Sequence, residues 1–436
     1  MSRFHRHLTL SAASLVALLV AQGSAQAGAF AIREQSATGQ GMSFAGVAAG
    51  SGGVSSIFWN PATITMKPGW WTELHVSAIA PRTDITPTVG TNPFLLPLGP
   101  SGDASIDAIL PASYASIQLS DRLWIGLYTG APFGLATKPG PVWAGQPYAR
   151  TTSVVTYEAD PTIGFKVNEW LSVGAGLRLQ YFDVTYKSAT GGPLAFTRLA
   201  PTGGLQGDSF GYGYTLGATL TPFVGTQIGI GFRSAIEHEL EGNLNHALPI
   251  KAKVVLPETV TFGIRQQITD ALALNGTVEW TNWSRLGFPR VFNALTGGLS
   301  PVPALPLGYD DGWFFSAGAE YRFTPALTMR AGVGYEISPI DENVRSPRLA
   351  DDDRIWLSLG ASYQWNERLS LDVGDSYIFA ANETKLRVVP GNPSYNPLVG
   401  PLVADVDSDA HILSVALKYR WDNPQVAVPA AVVTKF

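Results

Sequence analysis

From Trp70 to Trp421, apolar residues alternate with small or polar ones at a period of two. Side chains that return to one face every second residue describe β-strands rather than helices. In 313–323, Trp313, Phe315, Ala317, Ala319, Tyr321 and Phe323 share a face, and Ser316, Gly318, Glu320 and Arg322 share the other. In 354–365, Ile355, Leu357, Leu359, Ala361, Tyr363 and Trp365 oppose Arg354, Ser358, Gly360, Ser362 and Gln364, with Trp356 out of pattern at one end. In 171–181, Leu, Val, Ala and Tyr alternate with Ser172, Gly174, Gly176, Arg178 and Gln180. One face suits lipid. The other suits a polar lumen that stays small where packing is tight.

Fourteen segments carry this pattern: 69–80, 111–120, 122–136, 151–167, 170–187, 209–221, 225–240, 250–269, 271–283, 311–323, 326–338, 353–365, 368–382 and 409–421. Most reach the roughly 9–11 residues a tilted strand needs to cross a bilayer. An even number closes an up-and-down barrel with both ends on one side. The connections alternate in length. Ser120-Asp121, Asn168-Glu169, Pro222-Phe223-Val224, Thr269-Asp270, Thr324-Pro325 and Asn366-Glu367 are tight turns. Between them lie long loops at 81–110, 138–150, 188–208, 241–249, 284–310, 339–352 and 383–408. Short periplasmic turns with long outer loops are the outer-membrane arrangement. Trp71, Trp280, Trp313, Tyr335, Trp365, Tyr419 and Trp421 read as girdle residues at the two interfaces. The fold class expected is all-β, a 14-stranded antiparallel transmembrane β-barrel.

Composition narrows the functions. Charged residues are 14% of the chain, against about 25% in a typical soluble domain. Past residue 27 there is no run of about 18 apolar residues, which excludes a helical membrane protein. The absence of cysteine excludes a disulfide framework, a thiolate zinc site and a cysteine nucleophile. The 29 Lys and Arg against 34 Asp and Glu argue against nucleic acid as a partner. Residues 1–27 read as a secretory signal peptide: Arg3, His5, Arg6 and His7, then apolar Leu8 to Val20, then the cleavage signal Ala25-Gln26-Ala27. The mature chain is expected to start at Gly28 and to reside in a Gram-negative outer membrane.

Fourteen strands enclose more space than their own side chains fill. Residues 28–68 differ from the rest, being rich in Gly, Ala and Ser, and cannot fold alone. They are expected to plug the barrel. Asn60 before Pro61 reads as an N-cap with proline at the first helical position. The inward charges Arg178, Arg265, Glu279, Glu320, Arg322, Arg330, Glu336 and Asp372 are expected to form a salt-bridge network.

In this order the motifs carry a resemblance. Asn60-Pro61-Ala62 follows the small-residue segment. Ala131-Pro132-Phe133-Gly134-Leu135-Ala136-Thr137, Trp143-Ala144-Gly145-Gln146-Pro147-Tyr148-Ala149-Arg150 and Leu171-Ser172-Val173-Gly174-Ala175-Gly176-Leu177 follow in turn. The chain resembles the FadL/TodX family of outer-membrane transporters of hydrophobic compounds. Gln146 and Pro147 depart from that family's Gly-Arg-Tyr spacing. The resemblance implies that the plug is a hatch, that ligand lands in an apolar groove between outer loops, and that it moves to an inner site beside the hatch N-terminus. It then leaves sideways through a gap at a kinked third strand. Mapped here, the groove is Leu194, Phe196, Leu199, Leu205, Leu244 and Leu248, and the inner site is beside Phe30 and Ile32. The kink is Gly130, Pro132 and Gly134, where proline removes a ladder donor and glycine permits a bulge.

The function expected is passive uptake of long-chain fatty acids or related hydrophobic compounds. Monoaromatic hydrocarbon uptake and a general porin stand as alternatives. A carboxylate ligand would use a lumen arginine such as Arg178 or Arg330. The partners expected are hydrophobic small molecules, outer-membrane lipid and lipopolysaccharide, and the barrel-assembly machinery, with the chain a monomer. No cofactor, metal or catalytic site is expected. Gly207-Asp208-Ser209-Phe210-Gly211 matches G-x-S-x-G but lies in strand rather than at a strand–helix turn. His238 and His246 lack metal spacing. Asp351 to Asp353, and Asp405, Asp407 and Asp409, read as solvated strand ends. Residues 422–436 read as a periplasmic tail.

Overall fold

A computed structural model describes residues 28–422; the expected leader, and the expected tail beyond Asp422, lie outside the described residues. Twenty strands form one antiparallel sheet. They are β1 (Trp70–Pro87), β2 (Ala108–Ser120), β3 (Leu123–Gly130), β4 (Gly134–Thr137), β5 (Thr151–Lys166), β6 (Leu171–Ala189), β7 (Thr202–Phe223), β8 (Thr226–Arg233), β9 (Ile236–Leu244) and β10 (Leu248–Leu256). There follow β11 (Thr259–Gln267), β12 (Leu272–Thr281), β13 (Arg290–Asn293), β14 (Leu299–Ala304), β15 (Gly312–Arg322), β16 (Leu327–Ile337), β17 (Arg354–Gln364), β18 (Leu369–Ala380), β19 (Thr384–Val388) and β20 (Leu402–Arg420). Three barrel strands are interrupted, as β3 with β4, β8 with β9 and β10 with β11; β13, β14 and β19 belong to outer loops. The result is a 14-strand barrel, and β1 pairs with both β2 and β20 to close it.

Every expected segment is a strand, but several run further outward than the alternation indicated. In the outer half of the β1–β20 pair, Arg82 faces Asp409, Asp84 faces Asp407 and Thr86 faces Asp405. Their outward side chains are polar, so apolar contrast vanishes while pairing continues. The expected loop 241–249 is instead a tight hairpin of β9 and β10. Asn245 and His246 make its turn at φ 53° and 58°, a conformation for which Asn is better suited than most residues. Along β1, exposed Leu74 and Val76 alternate with buried Glu73, His75 and Ser77, as lipid outside and a filled lumen inside require. Aromatic rings gather at the periplasmic seam, with Trp421 5.6 Å from Trp70 and 4.8 Å from Tyr419. At the outer ends Trp280 donates to Asp311 at 2.9 Å and Tyr335 donates to Asp353 at 2.9 Å.

The lumen is occupied by residues 28–66, nearly all of them buried. This hatch has one helical turn, Ala37–Gln40, and short 3-10 turns at Val47–Ala49, Gly53–Phe58 and Pro61–Met66. Asn60 caps the last of these by accepting from Ala62 N at 3.0 Å. Its amide donates to Ala48 O at 2.7 Å and to Ala218 O of β7 at 2.9 Å, so one side chain ties the hatch to itself and to the wall. Inward glycines let the two backbones touch. A Cβ on Gly174 would lie 2.5 Å from Ala62 N, and one on Gly360 would lie 2.7 Å from Gly41 Cα. Added methyls on Gly229 and Gly231 would overlap the carbonyl oxygens of Ala48 and Trp59. Elsewhere Phe44, Ile57, Phe58 and Trp59 of the hatch pack on Trp124, Tyr128, Phe314 and Trp356 of the wall. Trp356, out of pattern in sequence, points inward because it covers Phe44 at a ring distance of 6.1 Å.

Inward charges anchor the hatch in pairs. Lys418 contacts Asp372 at 2.6 Å and donates to Thr38 at 2.6 Å. Glu73 accepts from Val54 N at 3.1 Å and Ser55 N at 3.3 Å, and His75 Nδ1 accepts from Ala37 N at 3.0 Å. Arg265 and Arg330 share Glu320 at 2.9 and 2.8 Å. Arg322, expected in this network, is exposed at its strand end. Gly231→Val should therefore displace the hatch and not the barrel. Overpacking of about 1–3 kcal/mol should raise hydrogen exchange across residues 37–66 and ion conductance in planar bilayers, while the folded barrel's gel mobility stays unchanged.

Candidate functional site

The third barrel strand breaks where proline and glycine interrupt it. β3 pairs with β2 as far as Thr129↔Ser113 and with β5 as far as Gly130↔Glu158. β4 then resumes on β5 at Gly134↔Val155. The third strand has advanced four residues while β5 advanced three, which is a bulge of one residue. β4 does not rejoin β2. Residues 108–112 of β2 pair with β1, and beyond them a lone bridge, Ser105↔Thr137, spans to β4. The wall is thus unpaired between 108–112 and 131–134.

The hatch N-terminus covers this opening from inside. Ile32 N donates to Pro132 O at 2.8 Å and Gly134 N donates to Phe30 O at 2.9 Å, with Ala31 bridged to Phe133. Gln35 adds a bond to Ala131 O at 2.9 Å. Between the layers remains a cavity of about 20 Å³, lined by Ile32, Phe133 and Gly134 within and by Ile109, Leu110 and Pro111 on the β2 side. Ile109 is 53% exposed on the outer surface, so a hatch side chain and a lipid-facing one meet at the same small space.

Above the hatch lies a larger cavity of about 390 Å³, a size suited to a small apolar ligand. Phe30 lines its hatch side, and its ring packs on Trp283 at 4.7 Å and Phe133 at 6.1 Å. Leu135, Tyr186, Leu205, Leu244, Leu305, Leu307, Tyr309 and Leu349 supply apolar wall. One cation stands among them. Arg348 donates to Thr151 O and Lys187 O, each at 3.2 Å, and lies 5.0 Å from the Tyr186 ring. It makes no salt bridge with a carboxylate among the described residues. Burial without a counter-charge pulls its guanidinium down to about 10, still protonated at neutral pH.

The expected groove residues divide. Leu205 and Leu244 line the cavity. Phe196 and Leu248 pack against loop cores, while Leu194 is exposed and Leu199 is 84% exposed. The two expected arginines are already engaged. Arg178 bonds Glu158 at 2.8 Å and Ser234 O at 2.5 Å, and Arg330 bonds Glu320 at 2.8 Å. Neither lines the large cavity; the arginine that does is Arg348. His238 meets Gln180 at 3.0 Å in the lumen, and Ser209 lies within continuous β7 with no helix after it.

The chain that forms this barrel, hatch and broken third strand matches, over residues 18–421, a family described as outer membrane protein transport protein (OMPP1/FadL/TodX). The chain belongs to that family. It is an outer-membrane protein, 26% identical over 408 residues to the long-chain fatty acid transport protein of Salmonella typhi, covering 85% of this chain and 92% of that one. To outer membrane protein P1 of Haemophilus influenzae it is 25% identical over 426 residues, covering 87% and 90%. Its fold is similar to that of a Pseudomonas aeruginosa FadL homologue, with a TM-score of 0.79 at 23% identity, covering 90% of this chain and all of that one. The Ralstonia pickettii toluene transporter TbuX is similar at 0.63 and 18% identity, covering 89% and 100%.

One hatch residue of this FadL/TodX-family chain went unnoticed in sequence. Glu34 is 1% exposed, and neither carboxyl oxygen has a hydrogen-bond partner among the described residues. Burial raises it to about 7, with Arg33 pulling the other way. The folded hatch therefore holds a proton that the unfolded chain releases near pH 4.5. The stability this adds is full below about 4.5 and is lost as pH rises towards 7. Hydrogen exchange of residues 29–45, corrected for its intrinsic pH dependence, should show the hatch opening more readily at pH 8 than at pH 5. Glu34→Gln should flatten that difference.

Proposed function

We propose that the chain admits long-chain fatty acids or related hydrophobic carboxylates by diffusion. The outer loops capture them, the cavity above Phe30 holds them, and they leave sideways between β2 and β4. The observation that carries the carboxylate reading is Arg348, a half-buried cation without a carboxylate partner among the described residues, set in a cavity whose other lining side chains are apolar or neutral polar. A ligand carboxylate would return the counter-charge that burial withholds, and its chain would gain roughly 25 cal/mol per Å² of apolar surface covered. The salmonella relative's description as a long-chain fatty acid transport protein supports the same substrate class.

The unpaired wall supports lateral exit. An open sheet edge in hydrocarbon is costly, and here the edge is satisfied by hatch backbone, which can move, rather than by another strand. A cavity of about 20 Å³ at the opening holds no more than about one water. Passage therefore requires residues 30–32 to withdraw. Exit into the bilayer spares an apolar ligand the periplasmic water. A second reading, monoaromatic hydrocarbon uptake, draws support from the similarity to the toluene transporter and from the apolar lining, and it needs no role for Arg348.

Uptake by proteoliposomes separates these statements. Arg348→Ala should weaken oleate binding by about ten-fold or more, the worth of a charged hydrogen bond, and leave toluene within about two-fold. Equal losses for both solutes would favour the hydrocarbon reading. Because the chain has no cysteine, Leu110→Cys with Ala131→Cys can be joined by a reducible bismaleimide. Joining should stop uptake of both solutes and reduction should restore it. Unchanged uptake in the joined form would remove the lateral route.

A further inference from the structure

The first described residue sits against acids. A Cβ on Gly28 would lie 2.7 Å from Glu336 Oε1, so a nitrogen on the same Cα lies within about 5 Å of that oxygen by standard bond lengths. The next amide, Ala29 N, donates to Asp351 Oδ2 at 2.9 Å. Around these two residues the acids outnumber the cations. Glu279 and Glu336 share one cation, Arg33, and otherwise accept only from the neutral donors Thr261 and Trp356. Asp351 pairs with Arg354, and Asp352 pairs with Arg345 at 2.8 Å. Four carboxylates meet three guanidiniums in this chain of contacts. All seven are buried except Asp352, which is half-buried. A deficit of one positive charge away from water is expensive. Glu34, beside Arg33 and Glu336, adds to it whenever it ionises.

We propose that the missing charge is the α-ammonium of Gly28, created when the leader is removed after Ala27. Hydrolysis of that amide consumes one water, leaves a carboxylate on Ala27 and a protonated amine on Gly28. The ammonium pairs with Glu336 and Asp351, and so pins the segment that places Phe30 beneath the cavity and Ile32 behind the wall opening. In the unprocessed chain the same nitrogen is an uncharged amide, and the pin is absent. The hatch is thereby completed by export itself. This inference rests on cleavage at Ala27, and is independent of which solute the cavity takes.

The test uses the mature protein purified from outer membranes. Intact mass first fixes the start at Gly28; a different start overturns the proposal. The α-amine is then ¹³C-methylated reductively and titrated by NMR in detergent micelles, with the denatured chain as reference. The folded amine should titrate at least about one unit above the ordinary 7.7–8.0 of an α-amino group, and Glu336→Gln should bring it back towards the reference. A chain retaining one extra alanine before Gly28 should show faster hydrogen exchange over residues 29–35 at unchanged barrel melting. An amine that titrates at the reference value in the folded protein, whatever residue 336 is, overturns the pairing.

Discussion

Hydrocarbon offers no partner to a peptide N–H or C=O, so a spanning sheet must close on itself. Fourteen strands close this one, and the width that results obliges the chain to supply a second structure to fill it. The hatch is that structure, and its composition follows from where it sits. Small residues let its backbone reach the wall, and the wall answers with glycines at 174, 229, 231 and 360. Polar groups on both surfaces are then brought together away from water, which is why Lys418 meets Asp372 and Glu73 meets the amides of Val54 and Ser55. The filling is held by backbone proximity and paired charge as much as by apolar contact.

The ladder is incomplete at one place, and the same hatch repairs it. Within three residues the chain covers the floor of the large cavity with Phe30, bridges the broken strand through Ala31 and seals the gap with Ile32. The proposed lateral path thus depends on a short segment that carries no regular secondary structure and can detach without unzipping any barrel strand. Its attachments are two backbone bonds to Pro132 and Gly134, the Ala29 bond to Asp351, and the ion pairs of Arg33. On the proposed route, charge around this segment would bear on whether the path is open, and Glu34 is one of those charges.

Much of the fold was legible because burial on a barrel strand alternates with sequence. The membrane-spanning parts of all fourteen segments could be read that way; the turns and the plug were read from their composition instead. Legibility failed where the two faces stop differing. Above the hydrocarbon, Arg82, Asp84, Asp405 and Asp407 face outward on paired strand that reads as loop. The turn at Asn245 and His246 lacks the glycine that usually marks such a hairpin. For the site, the family resemblance pointed to the third strand, and Pro132 with its flanking glycines supplied the backbone chemistry for a break there. Which arginine lines the large cavity was not recoverable. Whether an inward arginine is free depends on partners distant in sequence, such as Glu158 for Arg178, and Arg348 stands in a Ser-Pro-Arg stretch with no periodicity to place it. Arg33 and Glu34 were hidden for the same reason, since the hatch has no repeating face.

Selective uptake requires a barrel closed to ions by its hatch yet permeable to apolar solutes. The most direct measurement compares ion conductance in planar bilayers with oleate and toluene flux into liposomes, for the mature chain and for one lacking residues 28–68. The intact chain should conduct few ions and pass apolar solutes, and the deletion should open a steady ion pore. An intact chain that already conducts ions freely, with no preference for apolar solutes, would contradict the account and leave a general porin.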